Sequence, residues 1–333
     1  MNRAVFLAVA VVVAASVSAA AQWPKTQDPS VPRDAQSKVR YDAPAPRTAD
    51  GKIDLSGVWQ RANSGAPGRG RGRGARAGAP GAPGAPAAGA PGRGEGNPGG
   101  APAPGEGVGQ GGRGGVSLEP ATAPFPVDPN GPPIATFFEA GGNMEGGLPY
   151  TSWAKGVRDA RLALNAKDNP DAMCLPMGFL QFHQQPQPRK IYQTAKEILI
   201  EYEANYGMRH IYLDGRKLPP QGEPQPFWYG YSVGRWEGDT LVVETNNLRG
   251  AEDSAYDGWL DVNGSPYSQQ AKFTERFRRV SYGQLQIDVT VDDPKAYTKP
   301  WTVRVDQRIL PDEEMIEFIC NENQQFRRKV KID

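Results

Sequence analysis

Cysteine and histidine are scarce in this chain of 333 residues, with two of each. His183 and His210 are too few for a histidine-rich metal site, so no metal is assigned, whereas a carboxylate-built calcium site would need no histidine at all. The sequence has no C-x-x-C pair, P-loop, dinucleotide fingerprint or G-x-S-x-G elbow. Dithiol redox, nucleotide and α/β-hydrolase chemistry therefore lack their usual residues, and no cofactor is implied. Net charge is only +1, so no general field draws the chain toward nucleic acid. Past the N-terminus no apolar run approaches the ~20 residues that a spanning helix needs, so no transmembrane segment is expected in the mature protein.

What is there begins with an export signal. Arg3 precedes an apolar run from Ala4 to Ala15, and Ser18-Ala19-Ala20-Ala21 offers a small-residue cleavage site. Residues 1–21 are read as a secretory signal peptide, which implies a periplasmic or secreted protein. In an oxidising compartment two lone cysteines usually pair, so Cys174 and Cys320 are expected to form a disulfide; a reactive thiol is the alternative. Residues 22–50 are polar and proline-rich and read as a flexible lead-in, and 51–63 hold a first strand around Ile53 to Gln60. Residues 64–117 are dominated by Gly, Pro, Ala and Arg and are expected to be disordered. Their arginines, from Arg69 to Arg113, suit at most a weak contact with anionic envelope polymers. Residues 118–333 read as a β-rich domain.

Within that domain one amphipathic helix is expected over Trp153 to Asn165, capped by Thr151 or Ser152. From Lys190 on, period-two patterns recur. Ile198, Ile200 and Tyr202 alternate with Leu199, Glu201 and Glu203, and His210 to Leu213 runs to a turn at Asp214-Gly215. Trp228 to Val233, Thr240 to Thr245 and Lys272 to Val280 follow. Leu285, Ile287, Val289 and Val291 make the cleanest alternation, then come Trp301 to Asp306 and Met315 to Cys320. Strands joined by short turns predict an antiparallel meander, mainly β, closed as a lipocalin-like barrel or stacked as a sandwich, with one short helix.

Several segments resemble those of a large group of exported proteins common in soil bacteria. They are Asp214-Gly215-Arg216, the run Ser232 to Thr245 (SVGRWEGDTLVVET), Thr274 to Arg279 (TERFRR), and Asp292 to Trp301 (DDPKAYTKPW). The resemblance covers about residues 51–62 and 145–325. Leu55-Ser56-Gly57-Val58-Trp59 is also similar to the G-x-W first strand of lipocalin barrels. The resemblance implies export and a barrel, and no particular activity. Many members have His where this chain has Tyr231, and His-Thr-Glu where it has Tyr267-Ser268-Gln269. Any proton transfer or metal binding at those positions is lost here.

Three functional readings follow. An aromatic-lined cavity binding a small molecule would draw on Trp228, Tyr229, Tyr231 and Trp236, on Tyr297 and Trp301 at a rim, and on Arg216 and Arg276 as polar contacts. Core packing explains many of the same aromatics. A periplasmic enzyme acting on carbohydrate would need a carboxylate pair, with Glu244 and Asp288 as acid and base or nucleophile; arginine pairing across strands is the plainer role for such acids. A structural envelope protein would attach through the Arg-rich insertion. His183 reads as a loop residue among Gln and Pro.

Overall fold

The computed structural model describes residues 27–62, 125 and 128–320. The expected signal peptide over 1–21, the Arg-rich insertion expected to be disordered and residues 321–333 lie outside the described residues. The elements are β1 (Gly57–Arg61), α1 (Ser152–Ala163), α2 (Gln181–Gln184), β2 (Arg189–Gln193), β3 (Glu197–Tyr202), β4 (Gly207–Tyr212), β5 (Tyr231–Glu237), β6 (Thr240–Asn246), β7 (Lys272–Arg279), β8 (Gln284–Asp292) and β9 (Trp301–Ile309). Two short 3-10 turns lie at Pro170–Met173 and Ala204–Tyr206.

The nine strands close into a barrel in chain order, with β9 returning to β1 through Trp59 opposite Ile309. A barrel rather than a sandwich results because both edges pair, which removes any open edge. Alternation dictates the inner face. Leu285, Ile287, Val289 and Val291 of β8 are buried inward, opposite Phe277, Phe273, Val303 and Trp301 of the neighbouring strands.

One pair departs from the expected meander. β4 and β5 run parallel, with Ile211 beside Ser232. Asp214-Gly215 therefore does not close a hairpin; the chain from Leu213 to Gly230 must travel back along the barrel before β5 can start. β5 also begins at Tyr231, later than the expected Trp228. Gly230 sits there at φ 68°, and a Cβ would come within 2.5 Å of Thr245, so the chain is still turning at that point. Met315 to Cys320 forms no strand. With β1 and β9 already paired, the barrel offers it no partner edge.

The single long helix, α1, is capped by Thr151, whose Oγ1 accepts the Ala154 N–H at 3.3 Å. It ends at Ala163, two residues short of the expected Asn165. Arg161 enters the protein at its end, donates to the Gly258, Gly264 and Asp257 carbonyls, and lies 4.1 Å over the Trp259 ring.

Residues 28–50, within the segment read above as a flexible lead-in, and residues 51–54 after them lie against the barrel. Val31, Ala43 and Ile53 are buried, Ala43 O accepts from Tyr282 N at 2.7 Å, and Arg33 pairs with Asp312. Cys174 and Cys320 are joined, with Cα atoms 5.6 Å apart.

Candidate functional site

The strand directions divide the barrel into two ends. At one end lie the β2–β3, β5–β6 and β7–β8 turns; at the other lie the long connections that follow β1 and β8. The second end is filled by the chain itself. Met177 to Gln185, carrying α2, is almost wholly buried. Phe179 stacks on Phe273 with centroids 3.9 Å apart, and Phe182 packs against Tyr202 and Tyr229. Gly178 admits this plug: a Cβ there would lie 1.4 Å from the Trp259 carbonyl oxygen.

The plug is locked by charge. His183 is 1% exposed, not a free loop residue, and its Nε2 lies 2.6 Å from Glu275 Oε1 on the inner face of β7. Arg209 of β4 donates to both oxygens of the same carboxylate, and also to Ser232 and Thr245 on β5 and β6. Burial alone would raise the Glu275 carboxyl; the Arg209 guanidinium and the His183 hydrogen bond outweigh it and hold the group down to about 2. Burial also lowers the His183 imidazole, so it stays neutral. An ionised Glu275 only accepts, so the Nε2–H tautomer of His183 fits. From below, Arg189 Nη1 and Gln307 Nε2 donate to the His183 carbonyl at 2.5 and 2.7 Å. Burial pushes Arg189 down to about 10. With Glu275, His183 and Arg209 at most 1% exposed, the cluster is closed to solvent and acts as a fastening.

Sequence reasoning passed over this cluster as a unit, yet a signal exists. Glu275 shares its phase with Phe273 and Phe277, and Arg209 shares its phase with Ile211. A charge in an apolar phase is a buried charge, and a buried charge demands a partner.

At the opposite end the N-terminal segment lies across the barrel, with Ile53 and Leu55 buried, and a cleft remains at one side. A cleft of about 610 Å³ lies between the inner wall and an arm of the N-terminal segment. Trp236, Gly234 and Leu213 form one side; Gln193 and Thr194 of the β2–β3 turn form another; Thr48, Asp50 and Lys52 of the arm form a third, with Arg235 beside them. Trp236 follows Ser232 and Gly234 in the inward phase of β5, and it packs on the core while remaining partly exposed. Two contacts hold the arm over the mouth. Arg47 grips Asp239 in the β5–β6 turn at 2.9 and 2.7 Å, and the Gln193 side chain bonds both Ile53 O and Leu55 N.

The residues proposed from sequence scatter. Of the aromatic set, Trp236 alone lines this cleft. Tyr229 is packed inside against Tyr202, and Trp228 lies under Arg249, 4.6 Å away. Tyr297 and Trp301 are 2% and 4% exposed, in mutual T-shaped contact rather than open at a rim. Tyr231 and Arg216 lie together on the outer wall, and Arg276 pairs with Glu237. Glu244 and Asp288 both point outward. Glu244 pairs with Arg235 at 2.7 Å, and Asp288 is gripped by Arg304 at 2.6 and 2.9 Å beneath the segment around Ile134. The structure thus gives each acid an arginine, not a shared cleft. Asp293 accepts from Ser268 N and Oγ and from the Lys295 and Ala296 amides, so it builds the turn before β9.

No protein-family model matches the chain, and no curated protein or solved structure matches it significantly. Among the described residues no group of His, Cys, Asp and Glu could hold a metal ion, and no helix is long and apolar enough to cross a membrane.

Proposed function

We propose that this is an exported binding protein that takes a small molecule into the cleft between its N-terminal arm and the barrel wall, against Trp236. The observation that carries the reading is the cleft of about 610 Å³ with an indole on one side and Lys52, Asp50 and Thr194 on the others. Its size falls within the roughly 300–1,000 Å³ of small-molecule sites, and its mixture of one aromatic wall with a few polar groups is their usual lining. The ligand it suits has an apolar face and hydrogen-bonding edges. The plug supports the same choice of end, because the aromatics at the other end are used up in packing. The signal-like N-terminus and the Cys174–Cys320 bond support export, as does the likeness to the exported soil-bacterial group.

Thermal-shift screening of a panel of aromatic metabolites and small saccharides tests the reading. A hit should raise the midpoint of the unmodified protein and leave Trp236→Ala unmoved. A panel in which every hit stabilises both proteins equally would place the ligand elsewhere and sink the proposal.

A further inference from the structure

The outer wall of β4 and β5 carries a row of rings that neither the core nor the mouth uses. Because Arg209 and Ile211 face inward, Met208, His210 and Tyr212 face out. Tyr231 continues the row on β5, and Phe227 extends it. Ring centroids are spaced 6.1 Å from Phe227 to Tyr231, 5.4 Å from Tyr231 to Tyr212, and 6.2 Å from Tyr212 to His210. Phe227 is 42% and Met208 57% exposed. Arg216 lies 3.8 Å over the Tyr212 ring and donates to the Tyr231 hydroxyl at 3.1 Å, which fixes two rings of the row in place.

The charges in the row are already matched. Arg216 pairs with Asp214, and His210 with Glu197. No cation in the row is left over to attract an anionic polymer, and no acid is left over to attract a basic one. What the row offers is the rings of Phe227, Tyr231 and His210, with the Tyr212 ring covered by Arg216 between them, flanked by hydrogen-bonding groups and laid out along a wall rather than in a cavity.

We propose that this wall binds a strand of neutral, β-linked polysaccharide. In such a polymer the equatorial hydroxyls leave the C–H faces of each sugar apolar, so successive sugars can lie on successive aromatic rings while their hydroxyls reach groups such as Arg216, Asp214 and Glu197. The row is distinct from the mouth, since Trp236 has the opposite phase on β5.

The test uses the full mature protein and titrates cellohexaose and chitohexaose by calorimetry. One of the two should bind. Tyr231→Ala combined with Phe227→Ala should weaken that binding by about tenfold or more, which is about 1.4 kcal/mol or more. Trp236→Ala should leave it unchanged. Phe227 is exposed and Tyr231 and Trp236 are half-buried, and circular dichroism verifies the fold of each variant. The proposal is overturned if neither oligosaccharide binds, if binding survives the double change, or if Trp236→Ala removes it, which would assign the sugar to the mouth. It is also overturned if sedimentation shows a concentration-dependent dimer that Tyr231→Ala abolishes, with no glycan bound, because the row would then be a self-association face.

Discussion

Replacing Glu275 by Gln should destabilise the barrel severely while keeping its shape. The substitution is nearly isosteric, so it opens no cavity and isolates the charge. Arg209 would remain fully buried, with Ser232 and Thr245 as its neutral partners. Removing one partner of a buried ion pair typically costs about 3–5 kcal/mol, because the survivor keeps its desolvation penalty. In a domain of this size each kcal/mol moves the melting midpoint by roughly 2–4 °C, so a fall of about 6–20 °C is expected. Acid should reproduce the effect. Glu275 is depressed to about 2 in the folded protein, so its stabilisation is present above the unfolded value near 4.5 and is lost as pH falls toward 2. His183 is also depressed, by burial, so the unfolded chain takes up its proton first and stability begins to fall below about pH 6.5, the ordinary histidine value. Chemical denaturation of the oxidised protein, followed by circular dichroism from pH 7 to pH 3, measures both effects. Glu275→Gln should flatten the lower part of that pH dependence, and Glu275→Leu combined with Arg209→Met should be milder than either single change. A loss below about 1 kcal/mol for Glu275→Gln at pH 7 would refute the idea that this pair locks the plug.

Three further outcomes follow from the packing. Gly178→Ala should expel or distort the plug, costing at least about 3 kcal/mol, because a Cβ would meet the Trp259 carbonyl oxygen at 1.4 Å; near-ultraviolet circular dichroism would show lost aromatic packing. Cys174→Ser should cost roughly 2–5 kcal/mol by removing a link across 146 positions, measured by denaturant unfolding beside the reduced parent protein. Arg47→Ala should loosen the arm over the mouth without unfolding the barrel, since its pair with Asp239 is exposed; the amides of residues 48–52 should exchange faster.

The barrel was largely legible because its strands obey a period of two. β8 declares both faces in nine residues, and β7 and β9 follow it in register. The parallel pairing of β4 and β5 was hidden by Asp214-Gly215, which has turn chemistry whether or not a hairpin follows; the long connection from Leu213 to Gly230 was the better guide. The plug was hidden for a different reason. Phe179 to Gln185 has neither strand nor helix periodicity of useful length, and its burial comes entirely from the surrounding wall. Trp301 looked like a rim aromatic beside Pro300, but it shares the phase of Val303 and Val305 and so belongs inside. Trp236 could be placed correctly only once Ser232 was known to face Arg209. The runs Ser232 to Thr245 and Thr274 to Arg279 supply Ser232, Thr245 and Glu275, three of the groups around that arginine.

The most direct test of a ligand at the mouth is native mass spectrometry of the mature protein, purified gently from the host that makes it, beside Trp236→Ala prepared in the same way. The account predicts a small-molecule adduct on the unmodified protein that is absent or much reduced on the variant. An unmodified protein that is consistently empty, or an adduct retained in full by Trp236→Ala, would contradict it.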